Sequence, residues 1–225
     1  MKRSMAVRHG LAVLTAAGLF AAPVMAVDIP GPSVAVSANV SSTLTFSTTI
    51  TELIPDGSGG TTIGPVVQTM DFGSLASNGT FDPDGPGGVA PQPRALNSLR
   101  AYQVFFGINA QQRPFSIKHT AGPLQSGGNT IPNGAFIVTP LSGIGGDPTP
   151  GDGGGSLPAN ITPGTRQSAV GTNIVLFSSS GGPSATMAAT YGVTDDPNLG
   201  ATAAIPLDQP TGNYVTTVVF TATII

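Results

Sequence analysis

From Val34 to Ile50 the chain alternates between apolar and small polar residues almost without a break. Val34, Val36, Ala38, Val40, Leu44, Phe46 and Ile50 hold one face, and Ser33, Ser37, Asn39, Ser41, Thr43, Thr45 and Thr49 hold the other. Only Ser42 and Thr48 interrupt the apolar face. A repeat of two belongs to an extended strand, whose successive side chains point to opposite sides. As one strand these residues would reach about 55 Å, roughly two to three times the usual length. The run therefore has to be divided. Either it bends from one sheet to another, with Ser42 as the break, or its first part, residues 27–40, pairs outside its own subunit.

The rest of the chain supports the same class of fold. With 31 Gly, 21 Pro and many Ser and Thr in place of Lys and Glu, helices are disfavoured and short strands joined by tight turns are favoured. Further strands are expected at Val66 to Phe72, Leu99 to Ala110, Phe115 to His119, Ala135 to Thr139, Asn173 to Ser178, Ala185 to Tyr191 and Asn213 to Ile225. Between them lie Gly/Pro-rich stretches, such as Asp82 to Gly88 and Gly143 to Ser156, that cannot sustain a ladder. Seven or eight strands at this spacing predict an all-β fold, an antiparallel β-sandwich of Ig-like or pilin-like form with long Gly/Pro-rich loops. In the last strand Tyr214, Val218, Phe220, Ala222 and Ile224 face one way and Thr217, Thr221 and Thr223 the other. An unpaired terminal strand invites aggregation, so at least one side of it should be paired.

The N-terminus has the layout of a secretory signal peptide, residues 1–26: Lys2, Arg3 and Arg8, an apolar run from Leu11 to Ala22, then Pro23 and the small-residue ending Val24-Met25-Ala26. As a helix the apolar run spans about 18 Å, short of the roughly 30 Å of a hydrocarbon core. Cleavage would leave residues 27–225 as a single β-sandwich domain, without a transmembrane segment, placed in the periplasm, on the cell surface or outside the cell. Three of the eight Lys and Arg residues leave with the leader, so five cations face eleven carboxylates for a net charge of −6. That balance has no basic stripe for phosphates, and no nucleic-acid partner is expected. With no Cys, thiol chemistry and disulfides are excluded.

Three segments carry a family resemblance: Ser37 to Phe46, Met70-Asp71-Phe72-Gly73-Ser74-Leu75, and Thr211 to Phe220 with its Gly212-Asn213-Tyr214. An opening alternating strand, a D-F-G-x-L strand and a closing G-x-Y strand, in that order, make the chain similar to secreted bacterial β-sandwich domains of the pilin-like and cell-surface kind. The resemblance implies a structural subunit or surface domain held by contacts with other proteins. The chain departs from chaperone-assembled pilins in having no disulfide. It also lacks the Glu-bearing helix after the leader that type IV pilins have, and a C-terminal wall-sorting signal.

Chemistry is sparse. One histidine follows the leader, His119, beside Lys118 on an expected strand and read as partly exposed. No G-x-S-x-G elbow accompanies it, so it is not read as catalytic. A zinc or copper site would need clustered His and Cys. Asp82 and Asp84, Asp147 and Asp152, and Asp195 and Asp196 are close in sequence, but without a calcium-loop spacing they read as turn caps. Glu52 is the only Glu, which leaves no carboxylate pair for glycoside cleavage. Without Trp, and with Tyr102 in phase with Val104, Phe106 and Ile108, a carbohydrate platform is not expected. Asn39, Asn78 and Asn160 match N-x-[ST] by coincidence. No catalytic, cofactor or metal residues are assigned, and no enzyme activity is expected.

Two functions stay open. In the first the chain is a structural subunit of an extracellular fibre or surface layer, in which residues 27–40 add as a strand to a neighbour, with Val34, Val36, Ala38 and Val40 as the assembly plugs. In the second it is a monomeric, adhesin-like binding domain that uses its loops, Pro55 to Pro65 and Gly143 to Pro163. The partners are then other copies of the chain or other surface proteins.

Overall fold

The computed structural model describes residues 44–55, 61–77, 95–143 and 156–225. The expected leader, the segment 27–40 with Val34, Val36, Ala38 and Val40, the acidic pairs Asp82/Asp84 and Asp147/Asp152, and Asn39 and Asn78 lie outside these residues.

Among the described residues the strands are β1 (Thr45–Pro55), β2 (Thr61–Val67), β3 (Ala101–Asn109), β4 (Phe115–Ala121), β5 (Gln125–Ser126), β6 (Asn129–Thr130), β7 (Phe136–Pro140), β8 (Ile161–Pro163), β9 (Gln167–Ser168), β10 (Gly171–Ser179), β11 (Ala185–Val193) and β12 (Val218–Ile224). They form an all-β antiparallel sandwich. One sheet has six strands in the order β2-β1-β3-β11-β7-β9, and the other has four in the order β12-β4-β10-β8. A small hairpin joins β5 to β6.

The chain crosses between the sheets at one end of the sandwich. Asn109 closes β3, and its side chain accepts a hydrogen bond from the Gln111 amide at 3.0 Å. Gln111 and Gln112 then take positive φ values of 51° and 66°, and the Arg113 amide bonds the Ala110 carbonyl at 3.1 Å. This tight turn delivers Phe115 to β4 in the other sheet. The β10–β11 connection returns beside it, since the Gly182 amide bonds the Gln112 carbonyl at 3.3 Å. Gly181 has φ +107° and lies so close that a Cβ would meet the Gln112 carbonyl oxygen at 2.6 Å, which is why a side chain is not tolerated there.

The core lies between the sheets. Val104 and Phe106 of β3, Met187 and Tyr191 of β11, Ile117 of β4 and Phe177 of β10 are fully buried. Phe106 is the hub: its ring is 6.2 Å from Phe46, 6.1 Å from Phe177 and 5.2 Å from Phe220. The expected strands at 99–110, 115–119, 135–139, 173–178 and 185–191 all occur, with ends shifted by a few residues. Two expectations are corrected. The strand placed at Val66 to Phe72 instead runs Thr61–Val67; Gly64 and Pro65 are accommodated because β2 is an edge strand, where a missing amide donor breaks no ladder. The strand placed at Asn213 to Ile225 begins only at Val218; before it Val215 makes an isolated antiparallel bridge with Gln125, one residue out of register with the β12–β4 ladder.

Candidate functional site

β12 pairs with β4 in unbroken register from Val218 opposite Ala121 to Ile224 opposite Phe115. The expected pairing of one side of this strand is therefore present, and among the described residues its other side has no strand beside it. The alternation read from sequence also holds: Val218, Phe220, Ala222 and Ile224 face the core, and Val219, Thr221 and Thr223 face solvent. Yet the inward side chains of β12 are only half-buried, whereas Phe115, Ile117, His119 and Ala121 on neighbouring β4 are at most 4% exposed. The difference comes from how far each sheet extends. Phe220 packs on Phe106 of β3 and Tyr191 of β11, so β12 ends the four-stranded sheet above β3. The facing sheet continues for two more strands, β1 and β2, and leaves Phe46 and Ile50 of β1 half-buried and Thr48 exposed.

Beside the start of β12 lies a cleft of about 790 Å³, lined chiefly by residues 68–75 and 209–217. Ile50 of β1 lines one side, and Val218 and Phe220 of β12 line the other. Its depth reaches Leu124, Ile131 and Phe136, which belong to the core itself.

One end of the cleft is closed by the D-F-G-x-L segment. Expected as a strand, Met70 to Leu75 is irregular, because Gly73 takes φ +66° and its amide bonds the Asp71 carboxylate at 2.9 Å, forming a turn. Phe72 turns inward, with ring centroids 5.3 Å from Tyr102 and 5.8 Å from Phe136. Two hydroxyls pin the backbone: Tyr102 donates to the Asp71 carbonyl at 2.5 Å, and Ser98 donates to the Phe72 carbonyl at 2.7 Å. Burial, with Glu52 nearby, pushes the Tyr102 phenol up, so it remains a donor at neutral pH. The Arg100 pairs with Asp71 (3.3 Å) and Glu52 (3.7 Å) are solvent-exposed and add little. Opposite, the G-x-Y segment is also a turn: the Tyr214 hydroxyl donates to the Pro210 carbonyl at 2.6 Å and accepts from the Gln209 amide at 2.8 Å.

The edges of the two sheets are not alike. β2 carries Pro65, and its pairing with β1 is broken between Thr51 and Leu53. β8 is three residues long and ends in Pro163, and β9 is two residues long. Short length, proline and bulges are the devices by which proteins prevent edge strands from recruiting further strands. β12 has none of them. It is seven residues long, regular, without proline and without charge.

His119 stands on β4 directly beside Phe220 of β12, and is corrected from partly exposed to 1% exposed. Its Nδ1 is 2.5 Å from the Tyr191 hydroxyl, and its ring centroid is 6.4 Å from that of Phe220. Its Nε2 is buried without a hydrogen-bond partner. Burial lowers its pKa to about 4 and raises that of Tyr191 well above the usual phenol range, so the pair is neutral and part of the core. Tyr102 is buried in phase with Val104 and Phe106, as its spacing predicts. Asp195 and Asp196 lie in a turn, where the Asp195 amide bonds the Asn97 side chain at 2.7 Å and the Asp196 amide bonds Thr194 at 3.1 Å. The Asn160 amide nitrogen is used internally, bonding Gly181 at 2.6 Å and Ser179 at 3.1 Å. Among the described residues no helix is long and apolar enough to cross a membrane. No protein-family model, no curated protein and no solved structure matches the chain.

Proposed function

We propose that the protein is a structural subunit of an extracellular fibre or surface layer, in which each copy accepts a strand from the next along the free edge of β12. The observation that carries this reading is β12 itself: among the described residues it is the regular, uncharged, proline-free edge of the sandwich, and its Val218 and Phe220 line the cleft that reaches the core. Strand addition suits such a site, because main-chain hydrogen bonds to the free edge supply affinity while alternate side chains fill the cleft. The chain contains a matching element in residues 27–40, with Val34, Val36, Ala38 and Val40 on one face. Burying each valine contributes roughly 1.5 kcal/mol or more before ordering costs are subtracted. A donor and an acceptor at different places on one chain form a heterologous contact, which builds a filament where the rotation between copies does not close into a ring.

Negative-stain electron microscopy tests this with the chain from Val27 to Ile225 and a version beginning at Ser41. Filaments from the longer chain alone support strand addition. Discrete, equally well-folded monomers from both overturn it.

A further inference from the structure

The reading above leaves open which way the incoming strand runs, and whether it belongs to the same chain or to another. Both follow from the topology. β1 starts at the end of the sandwich where the β3–β4 turn lies, since Thr45 pairs with Asn109. β12 finishes at that same end, where Ile224 pairs with Phe115 and the Ile225 amide bonds the Pro114 carbonyl at 2.9 Å. A segment that leads into Leu44 from the chain's own cleft would have to travel toward this end, and therefore parallel to β12. It would then have to reverse and change sheets within Ser41-Ser42-Thr43. A segment from a second copy carries neither constraint and can pair antiparallel, the slightly more stable arrangement per residue.

Side-chain volume points the same way. The inward side of β12 presents Val218, Phe220, Ala222 and Ile224, of which Val218 and Phe220 line the cleft, and the apolar face of the donor carries Val34, Val36, Ala38 and Val40. Run antiparallel and centred, Ala38 falls opposite Phe220 and Val36 opposite Ala222, so each small residue meets a larger one. Run parallel and centred, Ala38 meets Ala222 and Val36 meets Phe220, which leaves a void at one position and crowding at the next. Cores favour the first pattern, in which large and small residues alternate across facing positions.

We infer that the β12 edge takes residues 34–40 of a second copy, antiparallel, with Ala38 against Phe220. This inference rests on the strand-addition reading and adds partner, direction and register to it. In this register the solvent-facing Asn39 lies opposite the exposed Val219, whereas the parallel register puts it opposite Thr223. Four residues along a strand are about 13 Å, far beyond the reach of a disulfide.

The chain has no cysteine, so paired substitutions report without background. Asn39→Cys is combined with Val219→Cys in one variant and with Thr223→Cys in another, in the chain beginning at Val27. After mild oxidation, non-reducing gels are read for covalent ladders, and thermal melts confirm that both variants fold. A ladder from the Val219→Cys combination, with little or none from the Thr223→Cys combination, is expected. A ladder from the Thr223→Cys combination overturns the direction, and a cross-linked monomer from it shows that the chain fills its own cleft. Filaments with neither cross-link overturn β12 as the site yet keep the fibre reading. An unsubstituted chain that forms no filaments removes both.

Discussion

His119 makes the stability of this sandwich depend on pH in a way that can be worked out before measurement. The group is 1% exposed, and burial lowers its pKa to about 4, against an ordinary value of 6.5. In the folded protein it stays neutral while the unfolded chain already binds a proton at 6.5. Its contribution to stability is therefore complete above pH 6.5 and is lost as pH falls toward about 4, where the folded state begins to protonate as well. Across that window of about 2.5 pH units, the linkage amounts to about 3 kcal/mol at 1.36 kcal/mol per unit. A single substitution would confuse the test, because His119→Leu leaves the Tyr191 hydroxyl buried without its partner. The double variant His119→Leu/Tyr191→Phe removes both partners, and replacing both by apolar groups is far less costly than orphaning one. Urea unfolding of the wild type and the double variant at about pH 7 and about pH 4 measures the difference directly. The wild type should lose about 3 kcal/mol more than the variant on acidification. Equal losses in the two proteins would refute the argument that the buried neutral imidazole on β4 is the source.

Val36→Asp puts a carboxylate on the apolar face of the donor, so polymer should be lost in electron micrographs while the melting temperature of the monomer is unchanged. Phe106→Ala removes the ring that joins Phe46, Phe177 and Phe220 and should cost about 3–5 kcal/mol in denaturant unfolding. Tyr102→Phe deletes the hydroxyl that holds the Asp71 carbonyl and should cost about 1 kcal/mol. Gly181→Ala must fit a Cβ against the Gln112 carbonyl at a positive φ, and should cost about 1–3 kcal/mol in the same assay.

The fold class was legible because its signal is local. Tyr102, Val104, Phe106 and Ile108 alternate along β3 and are all core, and the inward face of β12 was readable as Val218, Phe220, Ala222 and Ile224. The errors fell where one residue's backbone or one side-chain hydrogen bond outweighed the pattern. Met70 to Leu75 reads as extended, but Gly73 at positive φ and the Asp71 side chain make it a turn. Asn213 to Thr217 alternates correctly, but its pairing is reduced to one bridge, Val215 with Gln125, whose register is one residue out of step with the β12–β4 ladder. His119 read as partly exposed because strand periodicity identifies a face without saying which face is covered. Tyr191, some seventy residues later, is what makes that face the core.

The cleft was not legible at all, and the reason is general to sandwiches. Whether an apolar side chain on a strand is buried depends on the strands opposite, which are set by pairings far apart in sequence. Phe46 and Ile50 carry the same apolar character as Val104 and Phe106, yet they stand half-exposed because β12, about 170 residues away, ends its sheet above β3 while the other sheet runs on through β1 and β2. The unequal width of the two sheets is thus the property that links fold to function in this reading. If the smaller sheet were wider, the free edge would face solvent alone and could recruit a strand only through its backbone. Because it is narrower, an added strand would gain a backbone ladder along β12 and cover the half-exposed faces of both sheets. Among the described residues the edges differ in the same sense: β2 carries a proline and an interrupted pairing, β8 and β9 are short, and β12 keeps an unbroken register with β4.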